Sequence, residues 1–393
     1  MLLLRKSRNK DILSEIFSHA RIKINGDNPW DINVHNQRFY DRVISNGSLG
    51  LGESYMDGDW DCNSLDQLFD KITTYNLRAH AKENYPLLNL LIRKILSNIN
   101  SDKLMDLHYD LGNDLYIEML GGNPMETENH AFMQYTCSYK GNEENNKKFN
   151  LRNSQINKLE LICKKADLRR GMKLLELGSG FGGFANYASR NYGVEVTCYN
   201  ISKQQIEFSR EWNNNLPIKI INKDYRLAEG KFDRIISIGL AEHVNLKELM
   251  EIAHSCLSEN GLFILHNIGK IKSENFTNPW ITKYIFPGGN LPSISQLSKA
   301  TEGLFTILDL HNFGQDYDPT LMAWNENFQS SWPRLEKKYN QKVKGKFKRM
   351  WEYYLLSCAG AFRVSEENPK AVKNQLFQLV LSKAPLKKYI FVR

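Results

Sequence analysis

The chain has 393 residues, of which 41% are hydrophobic and 24% are charged, and its formal net charge is +8. This length suits two domains, and the apolar content excludes a disordered or fibrous chain. No apolar run approaches the ~20 residues that a membrane-spanning helix needs. We therefore expect a globular protein.

The N-terminus and the cysteines bear on the compartment. A short apolar run precedes the first charges, which is the reverse of the order in a secretory signal. The 6 cysteines are scattered and include no CxxC pair, so neither a zinc site nor a disulfide scaffold is indicated. We expect a cytoplasmic protein without a metal site.

Positive charge is concentrated near the C-terminus. Residues 331–393 carry 15 Lys and Arg against 4 Asp and Glu, a net charge of +11, and the densest stretch is Lys342–Arg349. Such a surface attracts an acidic membrane face or nucleic acid, although a solvated helix face is the alternative. The sequence lacks nucleic-acid-binding modules, so we expect an anionic membrane partner and no nucleic acid.

The first part of the chain, residues 1–84, is predicted to be a small α+β domain. Residues 22–26 and 30–34 alternate apolar and polar side chains, as short strands do. Four glycines between Gly47 and Gly58 predict close backbone turns. Residues 85–104 follow with apolar side chains at helical spacing, which predicts a linker helix that either lies in a bilayer interface or packs on a domain.

Helical and strand patterns alternate through the remainder, residues 105–393. Such alternation predicts an α/β fold, with a mostly parallel sheet covered by helices on both faces. The predicted helices are 151–168 and 202–212, and the predicted strands are 173–177, 194–198, 218–221, 232–238 and 261–266.

Polar residues follow three consecutive strands of this predicted sheet. A glycine-rich loop, Gly178–Gly183, comes directly after the first strand, in which Glu176 is the last acidic residue. Asn200 follows the second strand and Asp224 the third. Because the carboxyl ends of parallel strands meet at one sheet edge, these groups can face a single ligand.

The loop resembles the S-adenosylmethionine (SAM) site of class I methyltransferases. Dinucleotide-binding dehydrogenases share such glycines and are the alternative, but Glu195 lies within the second strand rather than at its end. The resemblance implies cofactor contacts from Tyr135, Thr136, Glu176, Gly178, Ser179, Gly180, Gly182, Asn200, Ser202, Gln205, Asp224 and Tyr225.

Further segments resemble the cyclopropane-fatty-acyl-phospholipid synthases, from about Ile22 to about Phe362. Besides the loop and the stretch Gly47–Gly58, the resemblance rests on segments 108–114, 132–139, 239–244, 265–269 and 313–320. It implies that residues 1–84 dock on lipid and that residues 105–393 form the SAM-dependent catalytic domain.

Membership would imply methyl transfer to the cis double bond of an acyl chain in a membrane phospholipid. A base then removes a proton from the new methyl and the cyclopropane ring closes. The family is understood to hold bicarbonate as that base. The resemblance implies the ligands Cys137, Glu242, His266, the backbone of Ile268 and Tyr317.

Four departures from the family pattern occur. Ser179 and Phe181 stand where Cys and Trp are common, and Asn200 stands where Thr is usual. Ala241 replaces an aromatic residue before Glu242, which puts the chain-length preference in doubt. The segment after Phe362 matches poorly and receives no role.

The resemblance further implies a homodimer, peripherally associated with the cytoplasmic face of the inner membrane. A related lipid methyltransferase that leaves a methyl-branched or hydroxylated acyl chain is the main alternative. A nucleic-acid methyltransferase and a non-catalytic lipid-binding protein are the others.

Overall fold

The computed structural model describes residues 2–85, 111–126, 132–141, 148–273, 277–385 and 389–393, with side chains from residue 8 onward. The predicted linker helix lies almost wholly outside these residues. The chain divides into two compact units: unit 1 comprises 1–108, 276–288 and 321–373, and unit 2 comprises 109–275, 289–320 and 374–393.

Helices occur in both units. They are α1 (Leu2–His19), α2 (Arg38–Met56), α3 (Leu65–Thr74), α4 (Leu77–Asn84), α5 (Asn113–Leu120), α6 (Leu151–Lys165), α7 (Gly183–Tyr192), α8 (Lys203–Trp212), α9 (Leu246–Cys256), α10 (Pro279–Tyr284), α11 (Ile294–Thr301), α12 (Tyr317–Tyr339) and α13 (Phe347–Phe362). Short 3₁₀ turns occur at Tyr225–Leu227, Ala241–His243, Gly314–Asp316 and Lys342–Gly345.

Strands form two sheets. In unit 1, β1 (Asn33–Val34) pairs antiparallel with β2 (Trp60–Asp61). The seven-stranded sheet of unit 2 has the order β5-β4-β3-β6-β7-β9-β8. Its strands are β3 (Lys173–Leu177), β4 (Glu195–Asn200), β5 (Ile218–Asn222), β6 (Phe232–Ile238), β7 (Leu257–Gly269), β8 (Thr306–Asn312) and β9 (Gln375–Ser382).

The central strands are parallel, and β9 runs antiparallel to its neighbours β7 and β8. Successive residues of β3 point to opposite faces, so Leu174 lies in one apolar core and Leu175 in the other. Chain order reverses next to β3, which places the ligand crevice of an open α/β sheet at its carboxyl end.

These features confirm the predicted fold class. The predicted strands 173–177 and 232–238 have the observed bounds, and the others differ by a few residues. The strands β8 and β9 were not predicted. The expected helix 151–168 ends at Lys165.

The prediction of turns between Gly47 and Gly58 holds at Gly58, which lies in a turn with a φ of 72°. It is wrong at Gly50 and Gly52, because α2 continues to Met56 with one kink, at Gly47. The glycines serve close packing within unit 1 instead. A Cβ on Gly52 would overlap the ring of Trp280, and one on Gly50 would overlap the carbonyl oxygen of Arg42.

Unit 1 also differs in extent from the predicted domain 1–84. Residues 321–373 belong to it, because α13 packs closely on α3. A Cβ on Gly360 of α13 would overlap backbone atoms of Asp66 and Asp70. The lipid-docking role of residues 1–84 stays a prediction.

Candidate active site

The loop after β3 is shaped by glycine. Gly178, Gly180 and Gly182 have φ angles of 77°, 52° and 78°, a region that residues with a Cβ seldom occupy. A Cβ at Gly182 would overlap the hydroxyl of Ser209 on α8, whereas one at Gly180 would meet no described atom within 4 Å. The loop therefore packs against α8 at Gly182 and leaves space beside Gly180, where a ligand can approach the backbone.

Asn200, at the end of β4, ties this loop to α8. Its Nδ2 donates to the Gly180 carbonyl at 2.9 Å and to Gln205 Oε1 at 3.2 Å. Its Oδ1 accepts from the backbone N–H groups of Ile201 and Ser202, at 2.7 and 3.1 Å. Asn200 and Gln205 thus hold the loop in place, and their direct contact with a cofactor stays a prediction.

Asp224 and Tyr225 lie beyond β5. The carboxylate of Asp224 accepts three hydrogen bonds from Arg226, each 2.9 Å long, and these bonds hold its pKa below the ordinary value. The Tyr225 ring is buried in the apolar core, and its hydroxyl donates to Glu248 at 3.4 Å. Asp224 is therefore an ionised group, anchored at the sheet edge where the sequence predicts it.

Glu176 and Ser179 face the interior. Glu176 is 3% exposed, and its carboxyl lies 3.6 Å from the thiol of Cys198. Burial raises the pKa of Glu176 to about 8, although hydrogen bonding to Cys198 and the charge of Lys158 oppose the shift. Glu176 therefore links β3 to β4 through its contact with Cys198, and its contact with a cofactor stays a prediction.

Tyr135 and Thr136 border the glycine loop. The Tyr135 ring packs edge-on against Tyr116 at 5.2 Å between centroids, and Tyr116 in turn lies 5.5 Å from Phe181 of the loop. A Cβ on Gly239, which follows β6, would lie 3.1 Å from the methyl of Thr136. The segment that contains both residues therefore spans from the loop to the end of β6.

The sequence analysis missed Lys158, which holds that segment from α6. Lys158 is 0% exposed, and its Nζ donates to Gln134 Oε1 at 2.6 Å and to Thr136 Oγ1 at 2.7 Å. Burial lowers its pKa to about 7. Helical spacing in the sequence could have identified Lys158 as buried, because Ser154, Lys158 and Leu161 all lie on the buried face of the predicted helix.

Hydrogen bonds bring the segments of Cys137 and Tyr317 together. The backbone N–H of Ser138 donates to Thr320 Oγ1 at 3.2 Å, and the two hydroxyl oxygens are 2.7 Å apart. Cys137 is 0% exposed and Tyr317 is 6% exposed. Burial holds the pKa of Cys137 well above its ordinary value, so the group is a neutral thiol, and it donates to the backbone carbonyl of Ser138 at 3.2 Å.

Glu242 lies in the 3₁₀ turn after β6. Its Oε1 accepts the backbone N–H of Ile268 at 2.6 Å, and its buried Oε2 has no hydrogen-bond partner among the described residues. Burial raises its pKa to about 7. Near neutral pH much of this carboxyl is protonated, so it can donate as well as accept a hydrogen bond.

His266 lies on β7 and is 1% exposed. Its Nδ1 is 3.3 Å from Nε2 of Gln378, whereas its Nε2 is buried and unpartnered within the part of the chain that the structure describes. Burial holds its pKa well below the ordinary value, so the imidazole is neutral. A buried donor or acceptor without a partner is costly, and such a site suits a polar ligand.

The segments of Cys137, Glu242, His266 and Tyr317 meet at the carboxyl edge of the sheet. Thr136, beside Cys137, contacts Gly239, whose N–H donates to the carbonyl of His266 at 2.8 Å. The His266 ring lies 5.7 Å from that of Phe313, just before the segment of Tyr317. All the predicted site residues belong to unit 2.

Within the described residues, no group of three or more His, Cys, Asp or Glu side chains is arranged to hold a metal ion. None of the helices in the described ranges is long and apolar enough to cross a bilayer.

Comparisons with known proteins identify relatives. The family model for mycolic acid cyclopropane synthetase matches residues 97–370. Cyclopropane-fatty-acyl-phospholipid synthase of Escherichia coli (strain K12) is 41% identical over 379 residues, which cover 95% of this chain and 93% of that protein. A probable fatty acid methyltransferase of Pseudomonas putida is 30% identical, over 65% of this chain and 64% of that protein.

Solved structures share the fold. A cyclopropane synthase from Mycobacterium tuberculosis has a TM-score of 0.61 at 24% identity, over 72% of this chain and 99% of that one. A mycolic acid cyclopropane synthase complexed with SAH and CTAB also has a TM-score of 0.61 at 24% identity, over 72% and 98%. Coclaurine N-methyltransferase has a TM-score of 0.65 at 20% identity, over 85% and 99%.

Proposed function

Because this chain belongs to the mycolic acid cyclopropane synthetase family, we infer that it is a SAM-dependent methyltransferase that forms cyclopropane rings in unsaturated phospholipid acyl chains. The observation that carries this function is the match to the E. coli synthase, 41% identical over 95% of this chain. That extent includes residues of both units, so it covers more than the shared methyltransferase fold.

The edge of the sheet fits SAM as the methyl donor. The glycine loop is open at Gly180, where backbone can approach a ligand. Asp224 supplies an ionised carboxylate, and the ring of Tyr225 borders the same edge. We propose that these residues, with Tyr135 and Thr136, bind SAM.

We propose bicarbonate as the base of the reaction. When bound, it would supply the group that accepts the proton lost from the transferred methyl as the ring closes. The fit rests on two buried polar atoms without described partners, Oε2 of Glu242 and Nε2 of His266. The anion would take hydrogen bonds from them in place of water.

The residues around this site are suited to donate hydrogen bonds. Tyr317 offers a phenol and His266 an imidazole N–H. The neutral thiol of Cys137 donates to the Ser138 carbonyl and would turn from it to the anion. The raised pKa of Glu242, about 7, reduces the repulsion that a fully ionised carboxylate would exert on an anion. The Ile268 N–H already donates to Glu242, so its predicted bond to the anion would be shared with that carboxyl.

Burial protects the chemistry. Methyl transfer to an alkene leaves a carbocation, which water would trap as an alcohol. Cys137, His266 and Glu242 are 0%, 1% and 6% exposed. We propose that the exclusion of water from this site directs the carbocation to ring closure rather than to hydroxylation.

Product analysis tests the function. The protein is incubated with SAM and vesicles of unsaturated phospholipid, and the released fatty acids are analysed by mass and for alkenes. We expect a gain of one CH₂ with loss of the double bond and no hydroxyl. A methyl-branched alkene or a hydroxylated chain would instead indicate the related lipid methyltransferase.

The substrate lies in a membrane, and we propose that unit 1 docks there. Of the basic stretch Lys342–Arg349, two cations are engaged within unit 1: Lys346 pairs with Asp57 and Arg349 with Asp61. Lys344 and Lys348 are exposed and remain available for anionic lipid, at about 1 kcal/mol each. We propose peripheral association with the cytoplasmic membrane face, and the homodimer stays a prediction.

A further inference from the structure

Three neighbouring strands place a row of polar side chains beside the candidate active site. Gln378 of β9 lies directly opposite His266 of β7 on one side and His311 of β8 on the other. Residues in register on adjacent strands point to the same face of a sheet. The sequence analysis assigned no role to this part of the chain.

Gln378 touches the candidate catalytic imidazole. It is 0% exposed, and its Nε2 lies 3.3 Å from Nδ1 of His266. In this orientation the amide N–H donates and Nδ1 accepts, so in a neutral imidazole the proton belongs to Nε2; Oε1 of the same amide is buried without a partner among the described residues. Nε2 of His266 also has no hydrogen-bond partner among the described residues.

We propose that Gln378 is a positioning residue that holds the proton of neutral His266 on Nε2, where it can be donated to a bound oxyanion. This inference rests on the proposed function, because it takes His266 as a ligand of that anion. The opposite amide orientation would place an acceptor against Nδ1 and would leave Nε2 unable to donate.

Burial keeps the His266 ring neutral, and Lys158 and Lys165 of α6 and His311 of β8 act in the same direction. Of the acidic groups near the site, Glu242 is partly protonated near pH 7, and burial raises the pKa of Asp316, which adjoins Tyr317. A neutral imidazole has two tautomers, and the hydrogen bonds of the ring determine which of them is populated. Gln378 is the group that hydrogen-bonds Nδ1.

The tautomer can be measured without reference to activity. The protein is labelled with ¹⁵N-histidine, and the signals of His266 are assigned by comparison with His266→Asn. We expect the wild-type ring to carry its proton on Nε2. Gln378→Glu, measured at a pH at which its carboxyl is ionised and can only accept, should move the proton to Nδ1, whereas Gln378→Leu should leave a mixture of tautomers.

Activity gives the second readout. Gln378→Glu and Gln378→Leu should lower kcat about 10- to 100-fold with little change in the KM for SAM, as loss of a ligand's supporting hydrogen bond typically does. Gln375→Glu, the same change at the start of β9, should retain activity. It controls for the added charge.

The possible failures are distinguishable. A wild-type ring protonated on Nδ1 overturns the proposal even in a fully active enzyme. A tautomer shift in Gln378→Glu with unchanged kcat also overturns it, because the tautomer would then not matter to the reaction. Absence of any cyclopropane product from the wild type contradicts the proposed function but leaves the wild-type tautomer measurable.

Discussion

At the scale of single residues, the direction of each side chain determines which groups at the carboxyl edge of the sheet can contact a ligand. Sequence patterns identified Asn200, Asp224 and Glu176 by their positions at strand ends, and the structure places them there. It also shows that Asn200 bonds the loop and that Glu176 faces Cys198. A strand-end position predicts proximity, but not the direction of the side chain, because direction depends on packing from distant segments.

A buried acid makes stability depend on pH. The folded-state pKa of Glu242 is raised from 4.5 to about 7, so the folded protein binds a proton more strongly than the unfolded chain. The folded state therefore loses stability as pH rises through this window, with no further loss above it. Glu242→Gln cannot ionise and should gain Tm relative to wild type from about pH 4.5 to 7.

Thermal unfolding across this pH range checks that expectation. The exposed Glu251→Gln is the control, and its Tm difference from wild type should stay flat with pH. A flat difference for Glu242→Gln as well would mean that Glu242 ionises in the folded protein as it does in solution.

At the scale of elements, close packing and buried polar contacts set the geometry. Hydrophobic periodicity predicted the parallel strands, since buried strands form nearly continuous apolar runs. The strand β9 was not predicted, although residues 376–381 form such a run. Its pairing with β7, which brings Gln378 to His266, could not be predicted, because pairing between distant strands is not encoded locally. Gly52 of α2, which the sequence placed in a turn, lies instead against the ring of Trp280 on α10.

The segment 134–136 should depend on Lys158. Lys158→Met leaves Gln134 Oε1 and Thr136 Oγ1 without their buried donor, which loosens the segment that carries Tyr135. We expect SAM affinity to fall about tenfold, by analogy with other supporting contacts, as measured by titration calorimetry. Lys165→Met, on the same helix but paired with Asp309, should lower stability and leave SAM affinity unchanged.

Contact between α3 and α13 should tolerate no side chain at Gly360. A methyl there overlaps the backbone at Asp66 and Asp70, and overpacking of this kind costs about 1–3 kcal/mol. Gly360→Ala should therefore lower the Tm by several degrees, whereas Ala361→Ser next to it should not. Equal Tm values for the two variants would argue against the close approach.

At the scale of the molecule, the net charge of +8 is distributed unevenly along the chain. The structure shows which of the C-terminal cations are exposed and which are held in ion pairs. Charge counting selected the whole stretch Lys342–Arg349. It could not tell that Lys346 and Arg349 pair with Asp57 and Asp61, because ion pairs across the fold depend on tertiary structure. Lys344 and Lys348 are the exposed members.

Vesicle binding tests the role of these two lysines. Lys344→Glu with Lys348→Glu should weaken binding to anionic vesicles at least about tenfold, since each cation near the surface contributes about 1 kcal/mol. Lys23→Glu with Lys370→Glu changes the net charge equally at other exposed positions of unit 1. Equal losses in both double variants would indicate bulk charge rather than a local docking surface.

The central claim is that the candidate active site of Cys137, Glu242, His266 and Tyr317 works with a bound bicarbonate. It is tested by the rate of cyclopropane formation on unsaturated phospholipid vesicles in buffer freed of carbon dioxide, before and after bicarbonate is added. We predict a low rate that rises to saturation with added bicarbonate, and a much weaker response in Glu242→Gln. A wild-type rate that is the same with and without bicarbonate would contradict the account.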